Sequence, residues 1–74
     1  MKPGDLVKTD ASITREGMFY DLLSSDLHHR NGRTFHDNDV GIVLGLKDDV
    51  LTFCRVLTPG GEGWIWDFRL KRVR

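Results

Sequence analysis

The C-terminal half of the chain alternates short apolar runs with turn-forming residues. An apolar run at 41–44 is followed by another at 50–57, a Pro-Gly-Gly turn at 59–61, and Gly-Trp-Ile-Trp at 63–66. Apolar runs of this length, bounded by glycine, proline and aspartate, are typical of strands in a small all-β domain. With a brief closing strand after residue 70, the pattern predicts a tightly wound β-barrel.

About five short antiparallel strands are expected, near 4–8, 40–46, 50–57, 62–66 and 71–73. A single 3₁₀ turn is expected at 67–69. Strand 50–57 is apolar on both faces, with Leu51, Phe53 and Leu57 opposite Cys54 and Val56. Such a strand is buried on both faces or is covered on one by a loop, and the segment 9–39 could provide that cover. Period-two spacing predicts a core, which is Val7, Ile42, Leu44, Val56, Ile65, Leu70 and Val73.

The segment 9–39 is harder to interpret, and it reads as a long insertion in a single domain, 1–74. Residues 18–23 fit both a helical stripe and strand alternation. A short helix or irregular turn is favoured, because Ser-Ser-Asp follows. Asn31-Gly32 predicts a tight turn at 30–33. Phe19, Leu22 and Phe35 should anchor the insertion over the open barrel face, and long loops of this kind often carry function. A barrel should remain folded without it.

Composition restricts the location and the partners. The chain has eleven basic and eleven acidic residues and one cysteine, Cys54. Zero net charge argues against bulk attraction to nucleic acid or membrane, and a lone cysteine in an apolar run is typically a buried hydrophobe. Neither a secretory signal nor a membrane span is recognisable. We therefore expect a protein of the reducing cytoplasm, or of a particle assembled there.

No catalytic or metal-binding pattern is present, so neither an enzyme nor a cofactor is expected. His28, His29 and His36 do not have the spacing of a zinc motif. Asp48-Asp49 sit at a hairpin tip, where carboxylates are solvated. The glycines of 59–63 lack the lysine and helix of a phosphate-binding loop.

Trp64 and Trp66 are the leading candidates for binding. If Ile65 points into the core, both indoles lie on the opposite face, where they form a platform for proteins or bases. The alternative is that the insertion covers them. Four basic residues occupy the last six positions, whereas the first 68 residues carry all eleven acids and seven bases. This tail indicates an anionic partner or simply a solvated end. The candidate binding residues are Trp64, Trp66, Arg55, Phe19, Tyr20, Arg69, Lys71 and Arg72.

Both ends of the chain carry a family resemblance over roughly half its length. The segments are Lys2-Pro3-Gly4-Asp5-Leu6-Val7, Gly41-Ile42-Val43, Arg55-Val56-Leu57, Gly63-Trp64-Ile65-Trp66 and Leu70-Lys71-Arg72-Val73. Together they resemble SH3-like small barrels, in particular those encoded by tailed, T4-like bacteriophages of cyanobacteria. The tyrosine-rich groove and terminal Pro-x-x-Tyr of proline-binding SH3 domains are missing, which argues against recognition of proline motifs.

The resemblance implies a fold more than an activity, because SH3-like barrels serve many functions. We expect a non-catalytic protein–protein interaction module, a structural or accessory phage protein found in the host cytoplasm or the phage particle. Its partner would be itself or another protein. Two alternatives remain: a nucleic-acid-binding module that uses the tryptophans and the basic tail, and a phage protein that targets a host protein.

Overall fold

Strands make up most of the fold. The computed structural model describes residues 1–10 and 18–73, and within these ranges there are seven strands, one 3₁₀ turn and no α-helix. No helix in these ranges is therefore long and apolar enough to cross a bilayer. The strands are β1 (Leu6–Thr9), β2 (Phe19–Leu23), β3 (Arg30–His36), β4 (Gly41–Asp48), β5 (Thr52–Thr58), β6 (Gly61–Trp66) and β7 (Leu70–Arg72), and the 3₁₀ turn is Asp67–Arg69.

The strands form one antiparallel sheet that curls towards a barrel. Their spatial order is β3-β2-β6-β5-β4-β1-β7, so three strands separate β6 from β7. In a flat sheet this separation would be roughly 19 Å. The 3₁₀ turn that joins them in sequence can span at most about 14 Å from Trp66 to Leu70. The sheet must therefore curl to bring β7 back beside the end of β6.

The prediction of an all-β fold is confirmed. Strands β1, β4, β5, β6 and β7 lie close to the five predicted ranges, and the 3₁₀ turn occupies the predicted positions. The predicted number of strands is wrong, because the segment 9–39 supplies two more. Residues 11–17 of that segment, and Arg74 of the basic tail, lie outside the described residues.

The predicted insertion contains a β-hairpin in place of a helix or irregular turn. Strand β2 pairs with β3 in the register Tyr20 to Phe35 and Asp21 to Thr34. Strand alternation prevails over the helical stripe because it directs Leu22 into the core, where it is fully buried, while Phe19 stays half exposed. The prediction that Phe19 anchors this segment is therefore wrong.

The hairpin turn lies at 24–29, and the turn predicted at 30–33 is wrong. Asn31 and Gly32 sit within β3, where Gly32 has a φ of 81° and the Asn31 side chain accepts a hydrogen bond from the Arg33 amide. At the true turn, the Asp26 carboxylate accepts hydrogen bonds from the backbone amides of His28 and His29. This local bonding fixes the turn without an Asn-Gly pair.

The core is built from one face of the curled sheet, and its eight members are Val7, Leu22, Phe35, Val43, Cys54, Val56, Ile65 and Leu70. Burial of Val7, Val56, Ile65 and Leu70, and of Cys54 as a small hydrophobe, is confirmed. Leu22 and Phe35 come from the predicted insertion, so that segment is part of the core. The prediction that a barrel stays folded without it is inconsistent with this packing.

The predicted face of β4 is wrong. Val43 is buried, whereas Leu44 is 38% exposed and Ile42 only half-buried, like Val73 of the predicted core. The register with β5 shifts between Val43 and Gly45, which places Leu44 in a β-bulge. On β5, Phe53 is buried on the outer face, where the centre of the Trp66 ring lies 5.8 Å from that of the Phe53 ring.

Candidate binding groove

A groove opens where two neighbouring strands separate. Strands β2 and β6 pair at a single position, Leu23 with Trp64, and diverge beyond it. The space between them is about 400 Å³ in volume. We call it the β2–β6 groove, and its lining residues are Met18, Phe19, Tyr20, Asp21, Leu23, Arg30, Trp64, Ile65, Trp66 and Arg69.

Aromatic rings surround the guanidinium group of Arg69. Its central carbon lies 4.4 Å from the centre of the Tyr20 ring, 4.7 Å from that of Trp66 and 5.7 Å from that of Phe68. Trp66 and Phe68 stack on each other at 5.4 Å with an interplanar angle of 19°. We call the rings of Tyr20, Trp66 and Phe68 the aromatic clamp. Because a guanidinium group stacks favourably on aromatic faces, the clamp holds Arg69 in a defined orientation.

The 3₁₀ turn sets this arrangement. The turn brings the side chains of Trp66, Phe68 and Arg69 into contact. The Asp10 amide donates a hydrogen bond of 2.9 Å to the Arg69 carbonyl. Ile65 is 3% exposed and faces the core, so period two turns Trp64 and Trp66 to the other side of β6. Both tryptophans are half-buried, because β2 lies beside them as the opposite wall of the groove.

Two of the three charged side chains that line the groove form an ion pair with each other. The Asp21 carboxylate pairs with Arg30 across the hairpin at 3.5 Å. No carboxylate of the described residues forms an ion pair with Arg69, and its buried Nε has no hydrogen-bond partner within that part of the chain. Apolar walls with one unpaired guanidinium group form a site for an anionic group beside an apolar one.

A smaller cavity of about 240 Å³ adjoins the groove and shares Leu23 and Trp64 with it. Its charged residues, Arg55 and Glu62, form an ion pair with each other. The Asn31 side chain donates a hydrogen bond of 2.8 Å to the Glu62 carbonyl. This cavity is therefore held together by internal polar contacts, and its arginine already has an acidic partner.

The predicted binding residues fall into three places. Phe19, Tyr20, Trp64, Trp66 and Arg69 come together in the β2–β6 groove, and Arg55 lies in the adjoining cavity. Lys71 and Arg72 are on β7 at the edge of the sheet and line neither cavity. The sequence reading missed Met18, Asp21, Arg30 and Phe68, although the alternation of Met18 with Tyr20 was a signal for the first of these.

A second surface that the sequence reading missed is apolar. Leu6 pairs with Ile42, and Ile42 pairs with Leu57, so three apolar side chains form a row across β1, β4 and β5. Leu6 is 42% and Leu57 47% exposed. Ile42 belongs to this row because the outer face of β4, and not the core face, carries its side chain. We call these three side chains the outer apolar row.

The other reactive groups are engaged in the structure of the fold. The Ser24 hydroxyl donates to the Asp26 carboxylate at 2.8 Å, and His29 Nδ1 lies 2.6 Å from the same group. The serine is thus bonded to an acceptor and not to the imidazole that would activate it. Burial raises the pKa of the Cys54 thiol to about 11. No three metal-binding side chains cluster among the residues that the structure describes.

The β2–β6 groove is thus the part of the described structure with the most distinctive chemistry. It combines an aromatic clamp, an unpaired guanidinium group and apolar walls. The chain matches no protein-family model, no curated protein and no solved structure.

Proposed function

We propose that this protein is a non-catalytic protein-binding module that holds a short segment of a partner protein in the β2–β6 groove. The observation that carries the proposal is the aromatic clamp around Arg69, of which Arg69, Tyr20 and Trp66 line that groove. Tryptophan, tyrosine and arginine are the residues most enriched where binding energy concentrates in protein interfaces. Here all three meet in one concave site.

The size of the groove favours a segment over a whole domain face. Its volume of about 400 Å³ lies near the lower end of the range for ligand sites, which suits two or three side chains. The adjoining cavity of about 240 Å³ extends it past Trp64. A loop or extended peptide that follows this line would place successive side chains in the two cavities.

The sequence resemblance gives the proposal its setting. A barrel-like sheet and a 3₁₀ turn before the last strand support an SH3-like barrel. On that basis the chain is a structural or accessory protein of a tailed phage, which acts in the host cytoplasm or in the phage particle. Its partner is a phage protein, a second copy or a host protein, and each of these presents a peptide segment.

A nucleic-acid-binding module is the second candidate. Lys8 and Lys71 lie directly opposite each other on β1 and β7, and Arg72 follows on the same edge strand. Like charges in opposed positions destabilise a sheet, and an anionic partner would relieve this. The groove argues for protein instead, because most of its lining side chains are apolar or aromatic and Arg69 is the one arginine lining it that has no carboxylate partner among the described residues.

Selection from a random peptide library displayed on an unrelated carrier tests the proposal. The immobilised protein should enrich a recurring peptide motif, and Trp66→Ala or Tyr20→Ala should abolish the enrichment. Leu57→Ala, a change in the outer apolar row, is the matched control and should retain it. Circular dichroism must show that each variant is folded. Enrichment of no motif, with tight binding of a single-stranded oligothymidylate that is lost near 0.5 M salt, would replace the protein proposal with the nucleic-acid one.

A further inference from the structure

We infer that the segment held by the β2–β6 groove carries a carboxylate, an aspartate or glutamate side chain, that binds the guanidinium group of Arg69. The inference rests on the proposed function and specifies the chemistry of the partner. It follows from three features of the groove: the position of Arg69, the state of the neighbouring charges and the character of the walls.

Arg69 already occupies the position where an aromatic clamp would hold a cation. Rings arranged around such a position bind ammonium and guanidinium groups of ligands. Here the guanidinium carbon lies 4.4 Å and 4.7 Å from the Tyr20 and Trp66 rings, so the chain supplies its own cation. A cationic ligand would compete with Arg69 and be repelled by it, whereas an anionic ligand would add to the stack.

The remaining charges of the groove are already paired. Asp21 and Arg30 neutralise each other at 3.5 Å, and Arg55 pairs with Glu62 in the adjoining cavity. Among the described residues, Arg69 has no carboxylate partner, and its buried Nε makes no hydrogen bond. A guanidinium group in this state gains most from a ligand that accepts two parallel hydrogen bonds, as a carboxylate does.

The walls select a carboxylate flanked by apolar side chains. Met18, Phe19 and Trp64 contribute apolar surface to the lining of the same groove as the arginine. A phosphate-bearing partner fits less well, because Arg69 is the one arginine of the groove without a carboxylate partner among the described residues, and it can balance only one of two negative charges. The complementary segment is therefore an acidic residue between aliphatic or aromatic neighbours.

Three libraries of acetylated, amidated hexapeptides test this inference. One central position is fixed as Glu, Gln or Lys, and the other positions are drawn from aliphatic and aromatic residues. Retention on the immobilised protein should be about tenfold greater for the Glu library than for the Gln library, because a desolvated charge-assisted pair is worth at least that factor. The Lys library should be retained least.

Variants of Arg69 identify the residue responsible. Arg69→Gln should remove the preference for Glu over Gln, and Arg69→Lys should reduce it, because lysine lacks the planar fork. Arg69→Glu should reverse the preference towards the Lys library, which a merely destabilised protein would not do. Lys8→Gln, which removes a basic residue away from the groove, is the matched control and should change nothing. Melting curves establish that the variants are folded.

The outcomes separate the inference from the function on which it rests. If all three libraries are retained equally and Arg69→Gln has no effect, the carboxylate inference is wrong while the groove remains a peptide site. If no library is retained and the display selection also fails, the proposed function and the inference both fall. A Glu preference that survives Arg69→Gln but not Lys8→Gln would place the anion site at the edge of the sheet instead.

Discussion

The guanidinium carbon of Arg69 lies 4.4 Å from the centre of the Tyr20 ring, although these residues are far apart in the sequence. Arg69 ends the 3₁₀ turn before β7, and Tyr20 belongs to β2 in the segment predicted as an insertion. One wall of the groove thus comes from β2, and the other comes from β6 and the 3₁₀ turn. The clamp forms only when the β2–β3 hairpin has folded against the end of β6.

The orientation of β4 predicts a large loss of stability at one residue and a small loss at its neighbour. Val43→Ala removes two methyl groups from a fully packed position and should lower the free energy of unfolding by roughly 2 kcal/mol. Leu44→Ala acts on a side chain that is 38% exposed in a bulge and should cost less than about 1 kcal/mol. Urea titrations of the two variants provide the measurement. A larger loss for Leu44→Ala would mean that β4 faces the other way.

The sequence did not determine this orientation, because β4 is apolar on both faces. Period two places Ile42 and Leu44 on one face and Val43 on the other, and the first face was predicted as the core. Only the pairing with neighbouring strands resolves the ambiguity: Val43 packs with the core, and the outer face continues the apolar row through Leu6 and Leu57. The bulge, which changes the register within the strand, also has no distinct sequence signal.

The β2–β3 hairpin should be essential for folding. Phe35 is fully buried, and truncating a buried phenylalanine to alanine typically costs about 3–5 kcal/mol, much of the stability of a domain this small. Phe35→Ala should therefore be largely unfolded, as judged by far-ultraviolet circular dichroism. Phe19→Ala, at a side chain that is 49% exposed, is the matched control and should stay folded. A stable, cooperative melt for Phe35→Ala would show that the hairpin is dispensable.

The hairpin was hard to predict for two physical reasons. Residues 18–23 match the helical and the strand period equally well, and tertiary burial of Leu22 decides between them. Asn31-Gly32 is a strong turn signal, yet Gly32 uses its positive φ within β3. The actual turn contains Leu27, a non-glycine residue with a φ of 65° whose side chain is buried, and no propensity predicts that conformation.

Cys54 should be chemically inert in the folded protein. Its side chain is fully buried, and burial raises the thiol pKa from 9.0 to about 11, which lowers the thiolate fraction at neutral pH about 100-fold. Reaction with an aromatic disulfide reagent should therefore be slower by at least that factor in native buffer than in denaturant. Rapid reaction of the native protein would indicate that β5 is exposed or opens readily.

Acid should weaken the β2–β3 turn. The backbone amide of His28, followed by the His29 and Ser24 side chains, holds the pKa of Asp26 well below its ordinary value of 3.8. A lowered folded-state pKa adds stability above about pH 4, and this is lost as the pH falls towards the folded pKa. Asp26→Asn should thus be less stable than the parent protein at pH 7, and the difference should shrink at pH 2.5.

Urea midpoints of the two proteins at both pH values provide the test. Asp5, whose pKa is also lowered, chiefly by the hydrogen bond from the Lys2 amide, is present in both proteins and cancels in the comparison. An equal difference in stability between the two proteins at pH 7 and pH 2.5 would show that the ionisation of Asp26 does not stabilise the turn.

The candidate site was only partly readable from sequence. The spacing of Trp64, Ile65 and Trp66 on a strand correctly placed both indoles on the face away from the core. The partner wall was not readable, because the pairing of β2 with β6 at one position depends on the curl of the sheet. Lys71 and Arg72 were predicted as binding residues from their charge alone, and they do not line the groove.

The most direct test of the central claim is a nuclear magnetic resonance titration with a peptide from the display selection. The indole N–H signals of Trp64 and Trp66 and the Nε–H signal of Arg69 report from within the groove. We expect these three to shift on peptide addition, while the amides of Lys8, Leu57 and Lys71 stay unchanged. Shifts confined to β1 and β7, with the indole and guanidinium signals unmoved, would contradict the account.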